Sequence, residues 1–272
     1  MRNFAATALA LTSLASQQAE ARLPENHTKM TLKRFQEEIT DSSSGLTHEI
    51  CTRSVDRMLH ENVNPNDLFR ESMSDPTFKW TDPTFSGVET LNWSDNPMYN
   101  SLEWLTDSYD ESENSVRISE MFEYGYSLFG KTDISVHDPI QGKLGNCWIH
   151  AAASVVALDP QRIKDIFLTD TLNTAGVYSL NMYMMGIPTT VTVDDFLPAS
   201  GNYPIFADGN WDGALWMPIL EKAAAKLYGN YMMLEGGWMG PAVQALTGAP
   251  YFVKYHGDYT ADELWEDLND KF

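Results

Sequence analysis

The sequence predicts an α+β fold, and three stretches carry that reading. A breaker-free apolar run, 147-CWIHAAASVVAL, comes after an asparagine and reads as a helix. Two neighbouring runs rich in Val, Thr and Tyr, 177-VYSLNMYMM and 187-IPTTVTVDDFLP, read as strands closed by Pro198 and Gly201. A second helix, 214-ALWMPILEKAAAKLYG-229, ends on a glycine in the C-cap position. Strands grouped together beside helices, rather than alternating with them, belong to the α+β class.

Bulk composition permits a sizeable core. The chain has 272 residues, 43% of them hydrophobic, with 12 Phe, 12 Tyr and 8 Trp. That length supports one or two domains. Thirty-eight acidic residues against 18 basic ones leave a net charge of -20, which repels nucleic acid and anionic membranes. No nucleic-acid partner is expected. Two cysteines, Cys51 and Cys147, are too few for a disulfide framework or a four-thiolate metal site, and Cys147 is expected to be free.

In chain order, residues 1–21 read as a secretory signal peptide. Arg2 supplies the positive start, Phe4 to Ala15 the short apolar stretch, and Ala19-Glu20-Ala21 a small-residue cleavage site. No later segment approaches the roughly 18 apolar residues that a membrane-spanning helix needs. Residues 22–73 are expected to form a helical N-terminal extension, with Leu32, Phe35 and Ile39, then Ile50, Val55, Met58 and Leu59, at helical spacing. From residue 74 to 137 proline, glycine and polar clusters break the pattern, yet Phe78, Trp80, Phe85, Trp93, Trp104 and Phe122 recur. Aromatics at that frequency indicate an ordered, irregular lead-in that packs against the next domain.

The helix after Asn146 comes next, with Asn146 as its expected N-cap. A short helix, 160-PQRIKDIFL, begins on proline, which suits the first turn. After the strands and the 214–229 helix, Gly236, Gly237 and Gly240 are expected to form a loop. Last, 260-TADELWEDLNDKF reads as a capped helix.

The chemistry centres on 141-QGKLGNCW-148. Cys147 is placed at a helix N-terminus, where first-turn N–H groups and the helix dipole favour an anion. The thiolate is the nucleophilic form of cysteine. The same N–H groups face any oxyanion that develops there. Gln141, six residues earlier, offers an amide donor, and Gly142 and Gly145 allow a tight turn close to a substrate. Trp148 would wall the site.

These residues resemble the Gln-Gly-x-x-Gly-x-Cys-Trp segment of papain-like cysteine proteases. More closely, 138-DPIQGKLGNCWIHAAASVVAL is similar to the calpain catalytic core, and the similarity continues through VTVDDFLP and LWMPILEKAAAKLYGNYMMLEGG to ALTGAP. The resemblance implies a papain-like core whose first lobe is built around a central helix carrying the cysteine. It implies lobe 1 over residues 74–248 and the start of lobe 2 over 249–272. Cys147 would be the nucleophile and Gln141 the oxyanion donor, with protein or peptide substrates. The partner His and Asn would come from lobe 2, about 130–150 residues after the cysteine in papain-type enzymes. The resemblance further implies calcium dependence, with Asp138 as a first-lobe ligand. That site would be weakened, because Ala214 stands where the family has glutamate; Asp212 is a candidate substitute. Asp194 and Asp195 match a family turn and are expected to be structural. His150, one turn after Cys147, and His256 are candidates for the base, but neither stands in the family's catalytic motif. Two functions therefore stay open: a calpain-like cysteine endopeptidase, or a catalytically inactive binding or regulatory module. Localisation is likewise open, since the signal peptide points to the secretory pathway and the resemblance to the cytoplasm.

Overall fold

Every residue from Trp216 to Leu227 is buried, in a helix that runs from Trp216 to Tyr228. The rest of the fold is arranged around it. The structure is a computed structural model, and it describes residues 65–75, 77–87, 90–91, 115–122 and 125–270 apart from 254. The expected signal peptide, the helices expected before residue 65, and Cys51 lie outside these residues.

The described elements begin with α1 (Pro65–Ser74), strand β1 (Ser115–Arg117) and the one-turn α2 (Ile118–Met121). Helix α3 (Cys147–Val156) carries the cysteine, and α4 (Pro160–Ile166) starts on its proline with Asp159 accepting from the Gln161 N–H. Strands β2 (Val177–Met184), β3 (Ile187–Asp194), β4 (Phe196–Ser200) and β5 (Tyr203–Pro204) come after them. Then come α5 (Trp216–Tyr228), a 3₁₀ turn (Tyr231–Leu234), α6 (Met239–Thr247), a second 3₁₀ turn (His256–Asp258) and α7 (Ala261–Asn269).

Mixed helices and small antiparallel sheets make this an α+β architecture. β2 and β3 form a two-stranded sheet with Met184 opposite Ile187, so the turn is Met185-Gly186 alone. Both turn residues have positive φ, 50° and 82°, which is the type I′ geometry that matches strand twist in a two-residue hairpin. The second sheet has the order β1-β4-β5. The single strand expected over 187–198 is therefore two strands in two sheets. The break falls at Asp195, and Pro198 pairs with Ser115 instead of closing the hairpin.

Two other expectations change. Gly240 lies inside α6 rather than in a loop, and α6 packs against α3 and β2. The Cys147 helix is also enclosed on one side only. Its Ala152, Ala153 and Val156 are buried, but Ala151 and Val155 face outward, and the enclosed helix is α5. Within the described part of the lead-in, Phe85 and Leu91 join the main core and Trp80 joins Ala175 and Val177 in a smaller cluster; Trp93 and Trp104 lie outside the described residues.

Buried charge fixes this packing. Lys226 donates to Asp82 at 2.9 Å and to the Thr192 carbonyl at 2.7 Å. Lys222, one turn earlier, pairs with Asp194 and donates to the Phe196 carbonyl at 2.6 Å. Arg117 pairs with Asp195, donates to the Trp80 carbonyl at 2.9 Å and stacks over the Phe196 ring. A buried cation without its partner costs several kcal/mol, roughly 3–5. These pairs therefore tie the lead-in, both sheets and α5 into one arrangement. Asp194 and Asp195 are structural here.

Candidate active site

Cys147 is the first residue of α3, and its thiol is free and exposed. The loop before it is held from two sides. Lys143 N–H donates to the Ile205 carbonyl at 2.9 Å, and the Gly236 N–H donates to the Gly145 carbonyl at 2.9 Å. Gly142 lies so close to the Ile205 and Phe206 carbonyls that any side chain there would collide with the backbone. Leu144 is fully buried and anchors the loop in the core.

Gln141 is exposed, and its Nε2 donates to the Leu144 carbonyl at 2.6 Å. That bond folds the glutamine back over its own loop. Trp148 is buried behind the cysteine. Its Nε1 donates to the Leu234 carbonyl at 2.8 Å, and its ring meets Tyr228 edge-on at 5.5 Å.

Asn146 holds the N-cap position, but its side chain accepts no hydrogen bond from the first turn. Its Nδ2 instead donates to Glu221 Oε1 at 2.6 Å. The asparagine is drawn inward by a buried carboxylate, and the first turn of α3 is left without a side-chain cap. His150 is pulled the same way, with Nε2 at 3.2 Å from the same Glu221 oxygen. The second Glu221 oxygen accepts from the Ala207 N–H at 2.9 Å. His150 is thus a core histidine on a glutamate, buried away from the exposed thiol. Sequence reasoning missed Glu221. Its signal was a lone acid within the apolar stretch 215-LWMPILEKAAAKL.

Glu235 was missed as well. It is exposed, at the end of the 3₁₀ turn, and its Oε2 accepts from the Gly145 N–H at 2.7 Å. Here no sequence signal existed, because nothing in the spacing brings residue 235 to residue 145.

Asp138 is buried, and three donors fill its carboxylate. Trp216 Nε1 and the Ser135 N–H reach Oδ2 at 2.7 and 2.8 Å, and Asn210 Nδ2 reaches Oδ1 at 2.6 Å. Burial pushes this carboxyl above its ordinary value, and the hydrogen bonds only partly offset it. Asp212 is also buried. There burial acts to raise the carboxyl, but hydrogen bonds from Thr132 and the Ala214 N–H outweigh it and hold Asp212 below the usual range. Calcium takes six to eight oxygens in most sites. Asp138 and Asp212 give most of their acceptor positions to protein donors, and Ala214 supplies no side-chain oxygen, so these three side chains alone fall short of the oxygens calcium takes. Among the described residues no group of three or more His, Cys, Asp or Glu is placed to hold a metal. His256 lies in the short turn before α7. No described helix is long and apolar enough to cross a membrane.

The profile of the calpain family cysteine proteases matches residues 96–272. Among curated proteins, calpain clp-1 of Caenorhabditis elegans is 30% identical over 192 residues, covering 68% of this chain and 23% of that protein. Calpain-12 of Homo sapiens is 36% identical over 126 residues, covering 45% of this chain and 18% of its own length. The calpain-type cysteine protease DEK1 of Zea mays is 39% identical over 116 residues, which cover 42% of this chain and 5% of that protein. The chain therefore spans less than a quarter of the length of each of these relatives. With a family match over most of its length, the chain belongs to the calpain family of cysteine proteases.

Proposed function

We propose that this chain forms the nucleophile-bearing part of a calpain-like cysteine endopeptidase acting on protein or peptide substrates. The observation that carries the reading is the exposed Cys147 thiol at an uncapped helix start, on the same loop as Gln141, whose amide folds back onto Leu144. A histidine of the second lobe takes the Cys147 thiol proton, and the thiolate sulfur attacks the scissile carbonyl carbon. The resulting oxyanion takes N–H groups of the first turn of α3. It also takes the second amide hydrogen of Gln141, the first being held by Leu144. The C–N bond then breaks, the amine leaves with a proton from the same histidine, and water hydrolyses the thioester. His150 is not that histidine, since Glu221 holds it inside the core. No step runs through calcium, and any calcium dependence would need ligands beyond Asp138 and Asp212.

The test is covalent capture. With the second lobe present, a peptide-like, thiol-directed electrophile should form one adduct, located on Cys147 by peptide mass spectrometry. Cys147→Ser should abolish it; an adduct that persists in that variant would overturn the assignment.

A further inference from the structure

Glu235 is an exposed carboxylate fastened to the loop that delivers the candidate nucleophile. Its Oε2 takes the Gly145 N–H at 2.7 Å, two residues before Cys147. The other oxygen lies so close to Gly145 that a side chain there would strike it, so the carboxylate lies flat against this loop. The Gly236 N–H to Gly145 carbonyl bond holds the next residue to the same place. Gly237 lies against the Trp148 ring with no room for a side chain, and Trp238 beyond it is 64% exposed. Among the described residues no lysine, arginine or histidine forms an ion pair with Glu235. The loop that carries the cysteine and residues 235–236 are thus fastened together at Gly145, with Cys147 and Glu235 both exposed.

We propose that Glu235 is a specificity-determining residue that selects a lysine or arginine side chain beside the scissile bond. The inference deepens the endopeptidase reading and rests on it. In this reading a peptide whose carbonyl is presented to Cys147 places a neighbouring side chain along residues 235–237, which the Gly145 bonds hold to the cysteine loop. A solvent-reached, unpaired carboxylate there attracts a cation and repels an acid. The chain's net charge of -20 adds a long-range pull of the same sign on a basic substrate. A purely structural reading of Glu235 would need only its hydrogen bond to Gly145, which a neutral acceptor also makes.

Glu235→Gln separates the two roles, because glutamine retains an acceptor for the Gly145 N–H and removes the charge. The measurement uses the chain in a Cys51→Ser background, so that Cys147 is the thiol monitored. Aminoethyl and sulfonatoethyl methanethiosulfonate transfer a cationic or an anionic group to the thiolate. The sulfur forms a disulfide with the transferred group, and methanesulfinate leaves. The ratio of cationic to anionic labelling rates should fall about fivefold in Glu235→Gln at low salt. Glu266→Gln, on the exposed helix α7, should leave the ratio where it was. An unchanged ratio in Glu235→Gln would overturn the proposal. So would an equal fall in Glu266→Gln, since it would make the effect one of overall charge. Uncharged methyl methanethiosulfonate on the Cys51→Ser chain tests the underlying reading: no labelling of Cys147 would overturn the nucleophile assignment itself, and the specificity proposal with it.

Discussion

At the scale of single residues, the decisive group behind the candidate nucleophile is a buried acid. Glu221 accepts from Asn146, His150 and the Ala207 backbone, and so joins the start of α3 to α5 and to the segment after β5. Glu221→Ala would leave these groups buried without their acceptor and should cost about 3–5 kcal/mol. Thermal unfolding would register that as a large fall in melting temperature; a change within a degree would contradict the role. Cys147 was readable from the sequence because a thiol after a cap-type residue, six positions past a glutamine, has local meaning. Glu221 was not, because an acid in a helix ordinarily marks a solvated face and only the fold shows that this one has none. The same gap misled the reading of Asn146, whose preference for capping lost to a charged acceptor across the core.

At the scale of elements, the hairpin shows what a pattern can and cannot say. The Val191 and Val193 alternation predicted a strand with one buried face, and both are buried. Thr192 and Asp194 on the opposite face are buried too, because Lys226 bonds the Thr192 carbonyl and Lys222 pairs with Asp194. Those partners lie 34 and 28 residues away and leave no local trace. The division of the 187–198 run into β3 and β4 was hidden for the same reason: the partner of β4 is β1, far upstream. The turn itself carries a testable weakness. Met185 has a φ of 50° and is 63% exposed, in a position that asparagine adopts more readily. Met185→Asn should therefore stabilise the fold by about 0.5–1 kcal/mol. Denaturant titration would show it as a higher midpoint with an unchanged slope; a lower midpoint would count against the turn geometry.

At the scale of the whole molecule, buried acids govern the response to pH. Burial raises the carboxyls of Asp138, Asp195 and Asp208 above the ordinary value of 3.8, with Arg117 partly offsetting the effect at Asp195. A group with a raised folded-state pKa favours folding fully below its unfolded value, and that advantage is lost as pH rises through the folded value. For Asp138 the window opens near 3.8 and extends upward. Comparison of the chain with Asp138→Asn should thus show the wild-type melting temperature falling relative to the variant as pH rises from about 4 to about 7. A constant difference would refute the sign. Composition conveyed the large acidic surface and the aromatic lead-in, but not that some of the acid lies inside.

The ties between α5 and the lead-in set where this unit can be cut. The family profile matches from residue 96, yet Lys226 donates to Asp82, and Arg117 donates to the carbonyl of Trp80. A fragment trimmed to the start of that match would remove Asp82 from a buried lysine amine and one acceptor from a buried guanidinium. The packing of this unit therefore reaches upstream of the profile match, at least to Trp80.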